Sequence, residues 1–169
     1  MILRFRAPAL VLTAALALSA CAQGGLGGGD AVDAHAAQAG AATPSDPTSV
    51  AYFNEVVGDR VLFAVDQSTL DSQARATLEE QARWLLSNTE YDVQIEGHAD
   101  EQGTREYNLA LGARRASAVR DYLVSQGVPD GRLGTISYGK ERPLEICSDE
   151  SCYRQNRRAV TVVSLGAGA

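Results

Sequence analysis

From Tyr91 to Glu96 the chain alternates between apolar and polar side chains, with Tyr91, Val93 and Ile95 set against Asp92, Gln94 and Glu96. A period of two marks a strand with one buried face, and here it stops at Gly97. A turn-forming run at 100–103 follows, after which apolar residues recur every three or four positions at Leu109, Ala113, Ala116, Val119 and Leu123. That spacing predicts a helix burying those five residues. Gln126-Gly127-Val128-Pro129 closes it, since glycine past a helix end and proline soon after are stop signals. An earlier helical pattern carries Ala74, Leu78, Gln81, Ala82 and Leu85 on one face, with Asp71 placed to cap it and Asn88-Thr89 to end it. Trp84 lies beside that face and reads as core rather than as a platform for a ligand. Short β-rich runs at 60–63, 133–138 and 159–164 predict three more strands, and the polar stretch 148–156 predicts one or two helical turns. The order is β-α-β-α-β-(α)-β. Its simplest packing is an α+β domain with the two main helices on one face of a mixed four-stranded sheet.

The first 50 residues lack this patterning. Arg4 and Arg6 precede an apolar stretch at 10–18 that is too short to span a bilayer, the layout of an export signal over residues 1–20. It ends Leu18-Ser19-Ala20-Cys21, which resembles the bacterial lipobox and implies cleavage before Cys21 and acylation of its sulfur and its new amino group. Ordinary secretion with an incidental cysteine is the alternative. Several acyl chains, at ~0.8 kcal/mol per buried methylene, would hold the mature chain durably on a membrane without spanning it. Ala22 is not the aspartate that resembles an inner-membrane retention signal, so an outer-membrane anchor with the domain facing the periplasm is expected. Residues 21–50 are rich in Gly, Ala, Ser, Thr, Pro and Asp and read as a flexible tether, in which His35 is solvated. Residues 51–169 are left for a single folded domain.

Charge and cysteine use narrow the function. A net charge of −6, which becomes −8 once Arg4 and Arg6 leave with the signal, makes nucleic acid a poor partner. With Cys21 assigned to lipid, Cys147 and Cys152 remain, five apart in an oxidising compartment. A structural disulfide is expected, with two free thiols or half of a metal site as alternatives. Glu96, His98, Asp100 and Glu101 cluster at a strand end, where such a group can bind a metal or act as acid and base. No nucleophile motif or partner set of ligands accompanies them, so neither an enzyme nor a cofactor is expected. On the following helix Asn108, Leu111 and Arg115 share one flank, because seven residues at 100° each bring Asn108 and Arg115 within about 20° of each other. The loop acid Asp100 and the helix arginine Arg115 therefore face a common cleft. They could pair with each other, contributing ~0–1 kcal/mol. Alternatively they could hold a zwitterion together, carboxylate on ammonium and guanidinium on carboxylate.

Residues 97–119, GHADEQGTREYNLALGARRASAV, are flanked by Gly58-Asp59-Arg60-Val61-Leu62-Phe63, by Ser137-Tyr138-Gly139-Lys140-Glu141-Arg142-Pro143 and by Asn156-Arg157-Arg158-Ala159-Val160. Together these blocks resemble the peptidoglycan-associated lipoprotein family of the bacterial outer membrane, within the wider class of OmpA-like C-terminal domains. The resemblance spans roughly 58–163 and implies the same fold and a non-catalytic anchor to the cell wall. The implied ligand is meso-diaminopimelate of peptidoglycan stem peptides, with Asp100 taking its ammonium, Arg115 its carboxylate and Leu111 its methylene chain. Asp66 and Val65 would line the pocket, partly through backbone groups, and Asn108 and His98 would flank it. Arg157 would either hold the site together or touch the stem peptide. Ala64 and Val65 depart from the aromatic and acidic residues common in that loop, whereas Gly112 resembles the lipoproteins more than the broader class. The resemblance also implies a place in the Tol-Pal envelope and cell-division system, with TolB as a partner over an overlapping surface and TolA as a further one. Another OmpA-like wall-binding lipoprotein outside that system is the alternative.

Overall fold

The structure, a computed structural model, describes residues 44–166; the expected export signal, Cys21, His35 and the expected tether up to residue 43 lie outside the described residues. Strand β2 (Tyr91–His98) runs through the middle of the sheet, parallel to β3 (Leu133–Gly139) and antiparallel to β4 (Arg158–Leu165). Strand β1 (Arg60–Leu62) pairs antiparallel with β4 at the edge, which gives the order β1-β4-β2-β3. A parallel pair needs a crossover, and helix α3 (Arg105–Ser125) supplies it between β2 and β3. Helix α2 (Ser72–Ser87) packs beside α3, and the two bury Leu78, Leu85, Val119 and Leu123 in one core with Val93, Ile95 and Val163 of the sheet. The mixed α+β architecture is the one the sequence pattern predicts.

Local chemistry sets the helix ends. The Asp71 carboxylate accepts from the Ala74 N–H at 2.7 Å and caps α2, and the Thr104 hydroxyl accepts from the Tyr107 N–H at 3.2 Å and caps α3. Gly127, at φ +98°, turns the chain out of α3 while the Val128 N–H returns to the Leu123 carbonyl at 3.1 Å. The buried face of α2 is the predicted one, including Gln81, whose amide donates to the Gly58 carbonyl at 2.6 Å and accepts from the Thr161 hydroxyl at 2.8 Å. Trp84 is core: its ring lies 4.9 Å from that of Phe53 and its indole N–H donates to the Pro47 carbonyl at 2.7 Å.

Helix α3 buries the predicted Ala116, Val119 and Leu123 but not the first part of the predicted stripe. Ala113 is exposed and Leu109 only half-buried, whereas Asn108, Leu111, Gly112 and Arg115 are buried. The first half of α3 lies against strand backbone and the cleft, not against the apolar core. A Cβ on Gly97 would fall 1.9 Å from the Gly112 carbonyl oxygen, so two main chains touch where two glycines face each other. Strand β2 also continues one residue past Gly97, to His98. Ahead of β1 the chain is helical, α1 (Val50–Tyr52) passing into a π-helical stretch Phe53–Gly58 that fully buries Phe53. No periodicity in the sequence announces that stretch. Helix α4 (Glu150–Asn156) is tied to the loop before it by a disulfide from Cys147 to its own Cys152, whose Cα atoms are 5.9 Å apart, and Asp149 caps it by accepting from the Ser151 N–H at 2.9 Å.

Because the obstacle at Gly97 is main chain and not a flexible side chain, Gly97→Ala is expected to destabilise the domain by about 1–3 kcal/mol. Urea denaturation of wild type and variant measures it, and a loss under about 0.5 kcal/mol would mean that α3 slides off the strand at little cost.

Candidate functional site

The end of β2, the loop after β1 and the first half of α3 enclose a cleft of about 250 Å³ lined by Val65, Asp66, Asp100, Gln102, Gly103, Tyr107, Asn108, Leu111 and Arg115. Arg115 is the anchor of this arrangement and is completely buried. Its Nε donates to the Gln67 carbonyl at 2.8 Å, Nη1 to the His98 carbonyl at 2.7 Å and Nη2 to the Ala64 carbonyl at 3.2 Å. A guanidinium has five N–H groups, so these bonds leave one on each terminal nitrogen. Burial lowers the Arg115 pKa to about 10, with the nearby Asp100 carboxylate opposing the shift, and the group remains a cation at neutral pH.

Asp100 forms its ion pair with Arg157, not with Arg115. Oδ2 lies 3.2 Å from Arg157 Nη1, and Oδ1 accepts from the Gln102 N–H at 3.3 Å. Simple mutual pairing of Asp100 and Arg115 is therefore not the arrangement found. Arg157 is itself buried and donates to the Phe63 carbonyl at 3.2 Å and to both carboxylate oxygens of Glu150. The Glu150 and Asp100 carboxylates raise its pKa, Glu150 having the largest effect. Through these contacts Arg157 ties the end of β1, the cleft acid and α4 together. The buried Asn108 amide donates to the Asp100 and Gln102 carbonyls at 3.2 and 2.7 Å and so shapes the loop. Buried Leu111 gives the cleft an apolar surface, while Val65 is exposed at the rim. Asp66 adopts φ +58°, unusual for a residue with a Cβ, and its carboxylate accepts from the Tyr107 hydroxyl across the cleft.

His98 is a correction: it does not line the cleft. Side chains alternate along β2, and because Gly97 faces α3 the His98 ring projects from the opposite face of the sheet. There it is buried 5.6 Å from the Tyr138 ring, and neither ring nitrogen has a hydrogen-bond partner. Only its carbonyl serves the site, through Arg115. Burial, followed by the Arg158 and Arg142 charges, lowers its pKa to about 4. The acid-base cluster suggested by Glu96, His98, Asp100 and Glu101 likewise does not assemble in the cleft, since Glu101 accepts from the Asn156 amide at 2.6 Å and the Glu96 carboxylate approaches His98 at 3.6 Å. Among the described residues the one grouping with metal-ligand character is Cys147, Asp149 and Cys152, whose sulfurs are bonded to each other. The sequence reading missed Tyr107, Gln102 and Gly103. Tyr107 was findable, because it stands four residues before Leu111 on the flank already singled out.

The OmpA family model matches residues 62–158. A peptidoglycan-associated lipoprotein of Rhizobium meliloti is 55% identical over 169 residues, covering 95% of this chain and 88% of the relative. One from Brucella melitensis is 55% identical over 130 residues, or 77% of this chain and 75% of that one. Among solved structures, the peptidoglycan-associated lipoprotein from Burkholderia pseudomallei superposes with a TM-score of 0.65 at 38% identity, over 70% of this chain and all of that one. The C-terminal domain of Helicobacter pylori MotB, at 20% identity and a TM-score of 0.60 over 65% of this chain and 87% of its own, shares the fold.

The geometry of His98 gives a signed pH dependence. The unfolded chain takes up a proton near the ordinary value of 6.5 and the folded chain only near 4, so the unfolded state binds more protons between these values. Stability from this group is complete above pH 6.5 and is lost as pH falls toward 4, by at most ~3 kcal/mol. In His98→Gln that part of the slope should vanish. Denaturation midpoints of both proteins across pH 7 to 4 check it, and parallel curves would contradict the burial argument.

Proposed function

Because the chain belongs to the OmpA family and, within it, to the peptidoglycan-associated lipoproteins, we propose that the cleft is where it grips the cell wall and that its ligand is a diaminopimelate-type stem peptide. At the coarser level it is an envelope lipoprotein that binds peptidoglycan, and it is not an enzyme. The observation that carries the finer reading is the state of Arg115. A fully buried cation whose bonds to carbonyls use three N–H groups keeps two for a carboxylate in a water-poor setting. In this reading the ligand's carboxylate meets Arg115, its ammonium lies between Asp100 and Asp66, and its methylene chain runs over Leu111. Asn108 and Arg157 hold the walls, Val65 closes the rim, and His98 contributes its carbonyl alone. Lys-type stem peptides lack the second carboxylate and leave those N–H groups unmatched.

The remaining parts of the reading complete an anchor. Residues 1–20 are the export signal, Cys21 carries lipid that places the protein in the outer membrane, residues 21–50 are a tether and residues 51–169 form the wall-binding domain. As part of the Tol-Pal system the domain engages TolB, and TolA after it, over a surface that overlaps the cleft.

Calorimetric titration tests the ligand assignment. Wild type is expected to bind diaminopimelate stem peptide at least tenfold more tightly than its lysine counterpart, a difference of about 1.4 kcal/mol or more. Asp100→Asn should lose affinity for the diaminopimelate form by a similar factor or more. Arg115→Ala is a poor probe, since it strips the hydrogen bonds from three carbonyls and is expected to unfold the loop after β1. Equal binding of the two wild-type peptides would rule out the zwitterion reading.

The anchor is tested separately by fractionation. Cys21→Ala is expected to abolish recovery in the outer membrane and to leave an uncleaved or soluble protein. An outer-membrane protein of unchanged mass would refute lipidation.

A further inference from the structure

Glu150 lies outside the cleft, on the first turn of α4, with 64% of its side chain exposed. An exposed carboxylate in an ion pair ordinarily contributes little. Here its partner is unusual, because the Arg157 side chain is 4% exposed and shared between two acids. Nη1 lies 3.2 Å from Asp100 Oδ2 and 3.3 Å from Glu150 Oε2, while Nη2 bonds Glu150 Oε1. Glu150 thus holds the guanidinium through two nitrogens and Asp100 through one. The Nε bond to the Phe63 carbonyl keeps Arg157 from turning wholly toward either acid. Glu150 is itself held by the first turn of α4, which Asp149 caps and the Cys147–Cys152 disulfide closes.

We propose that Glu150 is a positioning residue that sets the charge preference of the cleft, drawing Arg157 partly off Asp100 so that Asp100 remains available to a ligand ammonium. The inference rests on the reading of the cleft as a zwitterion site and adds a residue that does not touch the ligand. Around the cleft Asp66, Asp100 and Glu150 face Arg115 and Arg157, and the charges of Arg114 and Arg154 also act on this set. Removing the Glu150 charge leaves Asp100 as the one acid paired with Arg157 and draws the guanidinium further onto it. An ammonium would then compete with a guanidinium already in place, while a carboxylate on Arg115 would lose nothing. The pairing with Arg157 also holds the Glu150 carboxyl below its usual pKa.

The test is selectivity, which a purely structural role would not alter. The full-length protein in detergent is titrated with a diaminopimelate stem tripeptide and with the same peptide N-acetylated on its side-chain amine. Glu150→Gln is expected to weaken binding of the free-amine peptide about three- to tenfold while changing that of the acetylated one by less than about twofold. Glu150→Asp should restore most of the preference, and Glu150→Lys should erode it further. Denaturation midpoints confirm that each variant is folded, and the three substitutions together keep the test decisive if one is not. Equal losses on both peptides would make Glu150 a mere support for α4 and overturn the proposal, as would an unchanged preference. If wild type itself does not prefer the free amine, the ammonium site has failed in the unsubstituted protein, and the inference falls with it.

Discussion

The burial of one guanidinium is the constraint on which the site depends. Arg115 has no exposure to water, so the desolvation of its charge must be offset inside the protein. Carbonyls at Ala64 and Gln67, in the loop after β1, and at His98, at the end of β2, do this. These groups are about 17 to 51 positions away along the chain, yet one flat side chain fixes them relative to one another. The loop that forms one wall of the cleft is thus held by the residue that forms its base. Folding and site assembly become one event, and a variant that loses the cation loses the wall as well.

Bringing Arg115 to those carbonyls requires α3 to lie closer to β2 than side chains normally allow. The facing glycines, Gly97 and Gly112, provide that approach, three residues ahead of Arg115 on the helix. Ser137 completes the seam by donating from its hydroxyl to the Leu109 carbonyl at 2.7 Å. The domain therefore has two kinds of interior. Toward the far ends of α2 and α3 it is apolar, built on Leu78, Leu85, Val119 and Leu123, and toward the cleft it is a polar interior in which donors meet main-chain oxygens.

This division explains what could be read from the sequence. Strand alternation from Tyr91, the Asp71 cap, the α2 face and the Gly127 stop were legible because each depends on neighbours within a few residues. The α3 stripe was misread at Leu109 and Ala113 because periodicity equates apolar with buried, and in the polar half of the interior Asn108 and Arg115 take the buried places. His98 was misplaced by a motif, although the parity of the strand, carried one residue further, would have turned its ring away. The role of Arg157 was beyond local reading. Its carbonyl partner Phe63 lies 94 positions earlier, and only the pairing of β1 with β4 brings the two together.

A cleft of this construction has most of its ordering done before any ligand arrives. Asn108, Arg115 and Arg157 are fixed by hydrogen bonds to backbone or to each other's acids, so binding need immobilise few side chains. What remains adjustable is the rim, where Val65 is exposed and Asp66 and Tyr107 join two walls by a single bond. A zwitterion entering such a site brings no net charge into the interior. Its two ends can be matched separately, the carboxylate by a rigid cation and the ammonium by an acid whose own counter-charge is shared. In the proposed reading, discrimination comes from the rigid end, because leftover N–H groups on Arg115 cannot relax toward water when the carboxylate is missing, and a missing partner for a buried charge costs more than a present one contributes.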